Sequence, residues 1–164
     1  CLVGAPVRPD GGHAAEPDLI DWLGARADLL AICPEVEIGM GTPREALHLQ
    51  VSAAGVPSGA HRVRLVGVES GVTWTSRMHE WSERQARKWA EAGVSGIVLM
   101  AGSPSCGLSG IPVESGRVTL AGRGLFAEAL ARALPDVPMV EAGHLASPAA
   151  REAFLSAAQA ARTR

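Results

Sequence analysis

Residues 95–107 read Ser-Gly-Ile-Val-Leu-Met-Ala-Gly-Ser-Pro-Ser-Cys-Gly. The segment Ser95 to Ala101 is apolar, too short for a helix, and opens directly into a Gly/Ser/Pro loop that carries a cysteine. That pattern is a strand buried on both faces. Just upstream, Thr75 to Ala92 places Met78, Trp81, Ala86 and Trp89 on one stripe, fills the remaining positions mainly with charge, and ends at Gly93. These are the marks of an amphipathic helix with a glycine stop. A helix leading into a buried strand and then a glycine-rich loop is the unit from which α/β folds are built.

The same alternation extends in both directions. Downstream, a Gly/Ser/Pro-rich stretch running to about Gly122 reads as flexible, followed by a helix over Leu125–Leu134. A strand over Val137–Glu141 and an Ala-rich helix over Pro148–Ala161 complete that half. Upstream, Leu47–Ala53 and Val63–Val68 suit an antiparallel pair joined by the turn Gly55-Val56-Pro57-Ser58-Gly59. Asp18–Leu30 has helical spacing, Leu29–Cys33 reads as a short buried strand stopping at Pro34, and Gly4–His13 and Glu35–Arg44 read as loops. Cys1-Leu-Val-Gly resembles the end of a strand, so a further strand is expected before Cys1. The predicted fold is a mostly parallel sheet with helices on both faces, three-layered and Rossmann-like, in a single domain over 1–164.

Bulk properties narrow the function. The 164 residues are enough to bury one substantial core. Fifteen Lys and Arg against seventeen Asp and Glu leave no basic excess of the kind that nucleic-acid binding uses, so no stable nucleic-acid partner is expected. The longest apolar stretch, Gly96 to Ala101, is far short of a membrane span, and the cytoplasm is the expected location.

The cysteines carry the chemistry. Cys1, Cys33 and Cys106 are 32 and 73 residues apart, which fits neither a disulfide framework nor a zinc-finger spacing. On the predicted topology each lies at or just past the downstream end of a strand, the edge where open parallel sheets bind ligands. Glu141-Ala142-Gly143-His144 ends a fourth strand and is a candidate to join them. Free cysteines are often small buried hydrophobes, but these three lie in Gly/Pro-rich loops beside polar residues. Three thiolates with no evident fourth ligand suit zinc with an open position or a cubane cluster with one iron uncovered. His13, His48 and His144 are candidates for a fourth ligand of structural zinc.

Cys1-Leu-Val-Gly with Asp10-Gly11-Gly12, Cys33-Pro-Glu-Val with Gly39 and Pro43-Arg44, Ser103-Pro-Ser-Cys106-Gly107, and Gly124-Leu-Phe-Ala127 occur in order along the chain. Together they resemble the DUF523 family, which includes the thiouracil desulfidases, and the resemblance runs from Cys1 to about Phe154. It implies a [4Fe-4S] cluster on Cys1, Cys33 and Cys106, with the fourth iron free to take the sulfur of a thiolated base. It also implies catalytic roles for Glu35 and Ser103. Asp10, Arg44 and Ser105 are candidates for substrate binding, although Asp10 also suits plain turn chemistry and Arg44 also suits pairing with a carboxylate. The implied partner is a small thiolated base. The alternatives are thiolated nucleosides or tRNA as substrate, a zinc-stabilised binding module without catalysis, and a metal-free domain with buried thiols.

Overall fold

The computed structural model describes residues 1–52 and 62–162. The turn expected at Gly55–Gly59 lies outside the described residues.

The elements follow the order α1 (Pro17–Gly24), α2 (Pro34–Glu37), β1 (Leu47–Val51), β2 (Val63–Gly67), α3 (Thr75–Glu91), β3 (Ile97–Leu99), β4 (Ile111–Ser115), β5 (Val118–Gly122), α4 (Leu125–Ala133), β6 (Met139–Glu141), a 3-10 turn (Ala142–Leu145) and α5 (Pro148–Arg162). The architecture is mixed α/β, but the strands do not form one mostly parallel sheet. Four of them make a mixed sheet in the order β2-β1-β4-β5, with only the β1–β4 pairing parallel. A separate parallel pair, β3–β6, aligns Ile97 with Met139 and Leu99 with Glu141.

The expectation of helices on both faces is met locally at that pair. Ile97, Leu99 and Met139 pack into the main core, while Val98 and Val140 face a smaller cluster built on Leu19, Leu23, Ala142 and Leu145. Alternation along the strand sends neighbouring residues to opposite faces, so a short apolar run serves two layers. Gly96 allows α5 to approach closely, since a Cβ there would lie 3.0 Å from both Phe154 and Ala158. The main core is aromatic at its centre. Phe126 of α4 lies between Trp81 and Trp89 of α3, with ring centroids 4.9 and 5.6 Å away. Trp22, by contrast, is only partly buried and carries the Arg26 guanidinium over its ring at 4.5 Å.

Three expectations are corrected. Leu29–Cys33 joins no sheet: Leu30 is 66% exposed, and Ile32 is the member of the run that packs against the core. The first helix ends at Gly24 rather than at Leu30. The stretch before Gly122 is a hairpin, not a flexible linker. Ile111 and Val113 alternate inward while Pro112 and Glu114 face out, and Gly116 at φ +62° makes the turn. The expected loop Glu35–Arg44 starts inside a helical turn: Pro34, just before it, opens α2, as proline at a first helical position favours.

Candidate active site

Cys33 is the residue before α2, in extended conformation, so its side chain stands at the mouth of that helical turn. Its thiol donates to Glu35 Oε2 at 3.2 Å and lies 3.8 Å from the carbonyl of Val7. The second contact ties the segment that begins with Cys1 to the Cys33 segment. Glu35 is buried, with a side chain only 10% exposed.

Cys106 reaches the same place by another route. Ser103 Oγ accepts the backbone N–H groups of Ser105 at 3.1 Å and Cys106 at 3.0 Å, which curls the loop. The same hydroxyl donates toward Glu35 Oε1 at 3.5 Å. The loop is then sealed onto α4. Leu125 N–H donates to the Pro104 carbonyl, and the N–H groups of Phe126 and Ala127 donate to the Ser105 carbonyl. These are amides of a first helical turn, which have no partner within the helix. Gly124 permits the contact, because a Cβ there would lie 2.4 Å from Ser105 backbone atoms.

Burial pushes the Cys33 thiol up, and the Glu35 charge pushes it further, against smaller opposing effects that include Arg44. Cys106 is raised well above the ordinary thiol range by burial, then by the charges of Glu35 and Cys33, while Ser103 and the Cys1 amino group hold it down. All three cysteines are free thiols of intermediate burial.

No three His, Cys, Asp or Glu side chains among the described residues form a ready single-ion site. His48 pairs with Glu114 across the mixed sheet at 3.1 Å, while His13 and His144 are exposed. The donor set nevertheless fits an iron–sulfur cluster. The Cys33 thiol and the Cys106 loop meet at the buried Glu35 carboxylate, Cys1 is a third free thiol, and each thiolate of a cluster binds a different metal atom rather than crowding one ion.

The remaining candidates separate. Arg44 is at the centre, its Nη2 3.8 Å from Glu35 Oε2, and it also borders an open cleft of about 460 Å³ with Met40, Pro43, Glu69, Ser70 and Trp74. Two buried donors on that wall, Arg44 Nε and Trp74 Nε1, have no hydrogen-bond partner among the described residues. Asp10 is exposed; it accepts the Gly12 N–H at 2.9 Å and lies 3.9 Å from Arg8, the geometry of a turn. Ser105 is fully buried beneath the loop. Glu141 accepts the Leu108 N–H at 2.8 Å, so this late acidic residue steadies the chain just beyond Cys106. Gly124 has a structural part that sequence spacing alone did not reveal; a glycine directly before an apolar helix start was the available signal.

The family model described as 2-thiouracil desulfurase matches residues 1–142. A solved structure described as the [4Fe-4S]-dependent thiouracil desulfidase TudS is similar, with a TM-score of 0.69 and 31% sequence identity over 95% of this chain and 94% of that one. No curated protein matches.

Proposed function

Because the chain belongs to the 2-thiouracil desulfurase family, we propose that it removes the sulfur of thiouracil, using a [4Fe-4S] cluster held by Cys1, Cys33 and Cys106. The reaction is net hydrolysis: a thiocarbonyl and water give a carbonyl and hydrogen sulfide, with no electron donor needed. The whole of 1–164 serves as one desulfidase domain. Three free thiols are best preserved in a reducing compartment, which favours the cytoplasm. Among the described residues no helix is long and apolar enough to cross a membrane.

When bound, the cluster supplies a Lewis-acidic iron with a preference for soft sulfur over oxygen donors. The chain supplies the proton handling. Glu35 is the general base that takes a proton from the attacking water. Its Oε1 is the atom for that task, since Oε2 faces Arg44. Ser103 Oγ already accepts two backbone N–H groups, so its single proton is free to point at Glu35 Oε1 or at the developing charge on the base. Burial of Glu35 keeps bulk water from competing for these contacts.

The observation that carries this reading is the buried Glu35 carboxylate, which accepts from the Cys33 thiol at one oxygen and faces the Ser103 hydroxyl at the other. The test is anaerobic reconstitution with iron and sulfide, followed by addition of 4-thiouracil. The expected result is a brown protein that consumes the thiobase and releases one sulfide for each uracil formed. A protein that binds zinc without acid-labile sulfide, or no metal at all, overturns the proposal. A brown protein that leaves 4-thiouracil intact shifts the substrate to thiolated nucleosides.

A further inference from the structure

Resting on the reading of Glu35 as the general base, we propose that Arg44 is a positioning residue that holds this carboxylate by charge and does not touch the substrate. Arg44 is fixed before Glu35 is considered. Its backbone N–H donates to the Pro9 carbonyl at 2.9 Å, and Nη1 donates to the Gly41 carbonyl at 3.1 Å. The other terminal nitrogen, Nη2, then lies 3.8 Å from Glu35 Oε2, with the two side chains only 6% and 10% exposed. A planar guanidinium anchored by one arm presents the other in a set direction, which a lysine ammonium cannot do.

The need for that charge appears once the cysteines carry metal. In the free thiol form Glu35 Oε2 has a hydrogen bond from Cys33 at 3.2 Å. A metal-bound thiolate has no proton to donate, and its negative charge opposes the carboxylate. Arg44 is then the cation that faces Oε2. Ser103 serves the other oxygen and carries no charge. Without Arg44 a buried carboxylate beside a thiolate has reason to rotate away, and Oε1 leaves the position from which it handles the proton. The competing role, in which Arg44 grips substrate, would use its Nε, which has no hydrogen-bond partner among the described residues, beside the cleft shared with Trp74.

Steady-state kinetics of reconstituted Arg44→Met and Arg44→Lys separate the two roles. Positioning predicts that Arg44→Met lowers kcat at least about tenfold, a share of the roughly 10²–10⁴-fold that a general base contributes, with KM within about twofold. Arg44→Lys keeps the charge and recovers part of the loss. In a Glu35→Gln background, Arg44→Met should change kcat by less than about twofold, because the residue it acts through is gone. A readout without metal accompanies these. In urea unfolding of the metal-free protein, Arg44→Met should lower the midpoint, and most of that loss should vanish in Glu35→Gln. A raised KM at unchanged kcat, or losses from Arg44→Met that are equal in both backgrounds, overturns the proposal. Absence of turnover in the parent protein would defeat the desulfidase reading instead, and the metal-free cycle would still decide whether Arg44 and Glu35 are coupled.

Discussion

The Cys33 thiol donates a hydrogen bond to the Glu35 carboxylate at 3.2 Å. The residue proposed to move protons in catalysis is therefore in direct contact with a residue proposed to hold the metal. Changes at either position should be felt at the other.

Glu35→Gln should separate these roles. Reconstituted protein should retain iron and sulfide while turnover falls by roughly 10²–10⁴-fold. In the metal-free protein, loss of the carboxylate charge should let the Cys33 and Cys106 thiols ionise more readily, because that charge helps to raise both. Faster iodoacetamide labelling at mildly alkaline pH is the measurement. Unchanged labelling would mean that burial alone sets these thiols.

The same shifts give the metal-free protein a pH-dependent stability. Both thiols are raised in the folded state, so the folded form binds protons more tightly than the unfolded chain does. Their contribution is intact below the unfolded thiol value of about 8.5 and is lost as pH climbs through the raised folded values. Urea midpoints should accordingly fall between about pH 8 and pH 10. Cys106→Ala should flatten most of that slope, and a slope of the opposite sign would contradict the assignment.

Ser103→Ala removes an acceptor used by two backbone amides and the hydroxyl facing Glu35. Two lost hydrogen bonds correspond to about 1–3 kcal/mol of unfolding free energy. Urea unfolding should report that cost, with a parallel fall in turnover. A variant as stable and as active as the parent would remove Ser103 from both roles.

Gly124→Ala tests the seat of the Cys106 loop. The added Cβ meets backbone atoms at 2.4 Å, and backbone cannot step aside as a side chain can. Overpacking of this kind costs about 1–3 kcal/mol, and reconstituted protein should retain less iron. Gly143→Ala is the control, since a Cβ there meets nothing within 4 Å. Equal iron content in the two variants would show that the loop tolerates displacement.

Legibility in the sequence follows the physics of each segment. Helix α3 is readable because its Met78, Trp81, Ala86 and Trp89 stripe repeats over several turns, and β1–β2 because two β-rich runs flank turn residues. Leu29–Cys33 misleads because a short apolar run says nothing of whether another strand lies beside it. The β4–β5 hairpin is hidden by its glycine, serine and proline content, although the alternation of Ile111 and Val113 with Pro112 and Glu114 was present. The cysteine blocks are visible as motifs, but strand ends do not explain how the Cys33 and Cys106 blocks come to Glu35. Cys33 opens a helical turn, and Cys106 is placed by Ser103 and α4. The ion pair of Arg44 with Glu35 joins residues on opposite sides of the Gly39–Gly41 bend, a relationship that spacing cannot reveal.

The amides of Leu125, Phe126 and Ala127 end on carbonyls of the Cys106 loop, and Phe126 is wedged between Trp81 and Trp89. That arrangement makes the loop part of the same cooperative unit as the α3–α4 interior. In hydrogen exchange these amides should open only with the aromatic centre, among the slowest of the molecule. The segments bearing Cys1 and Cys33, tied by a weak thiol–carbonyl contact and single backbone bonds, should exchange by cheaper local openings. One wall of the site is thus as durable as the fold itself, and the other can yield without unfolding it.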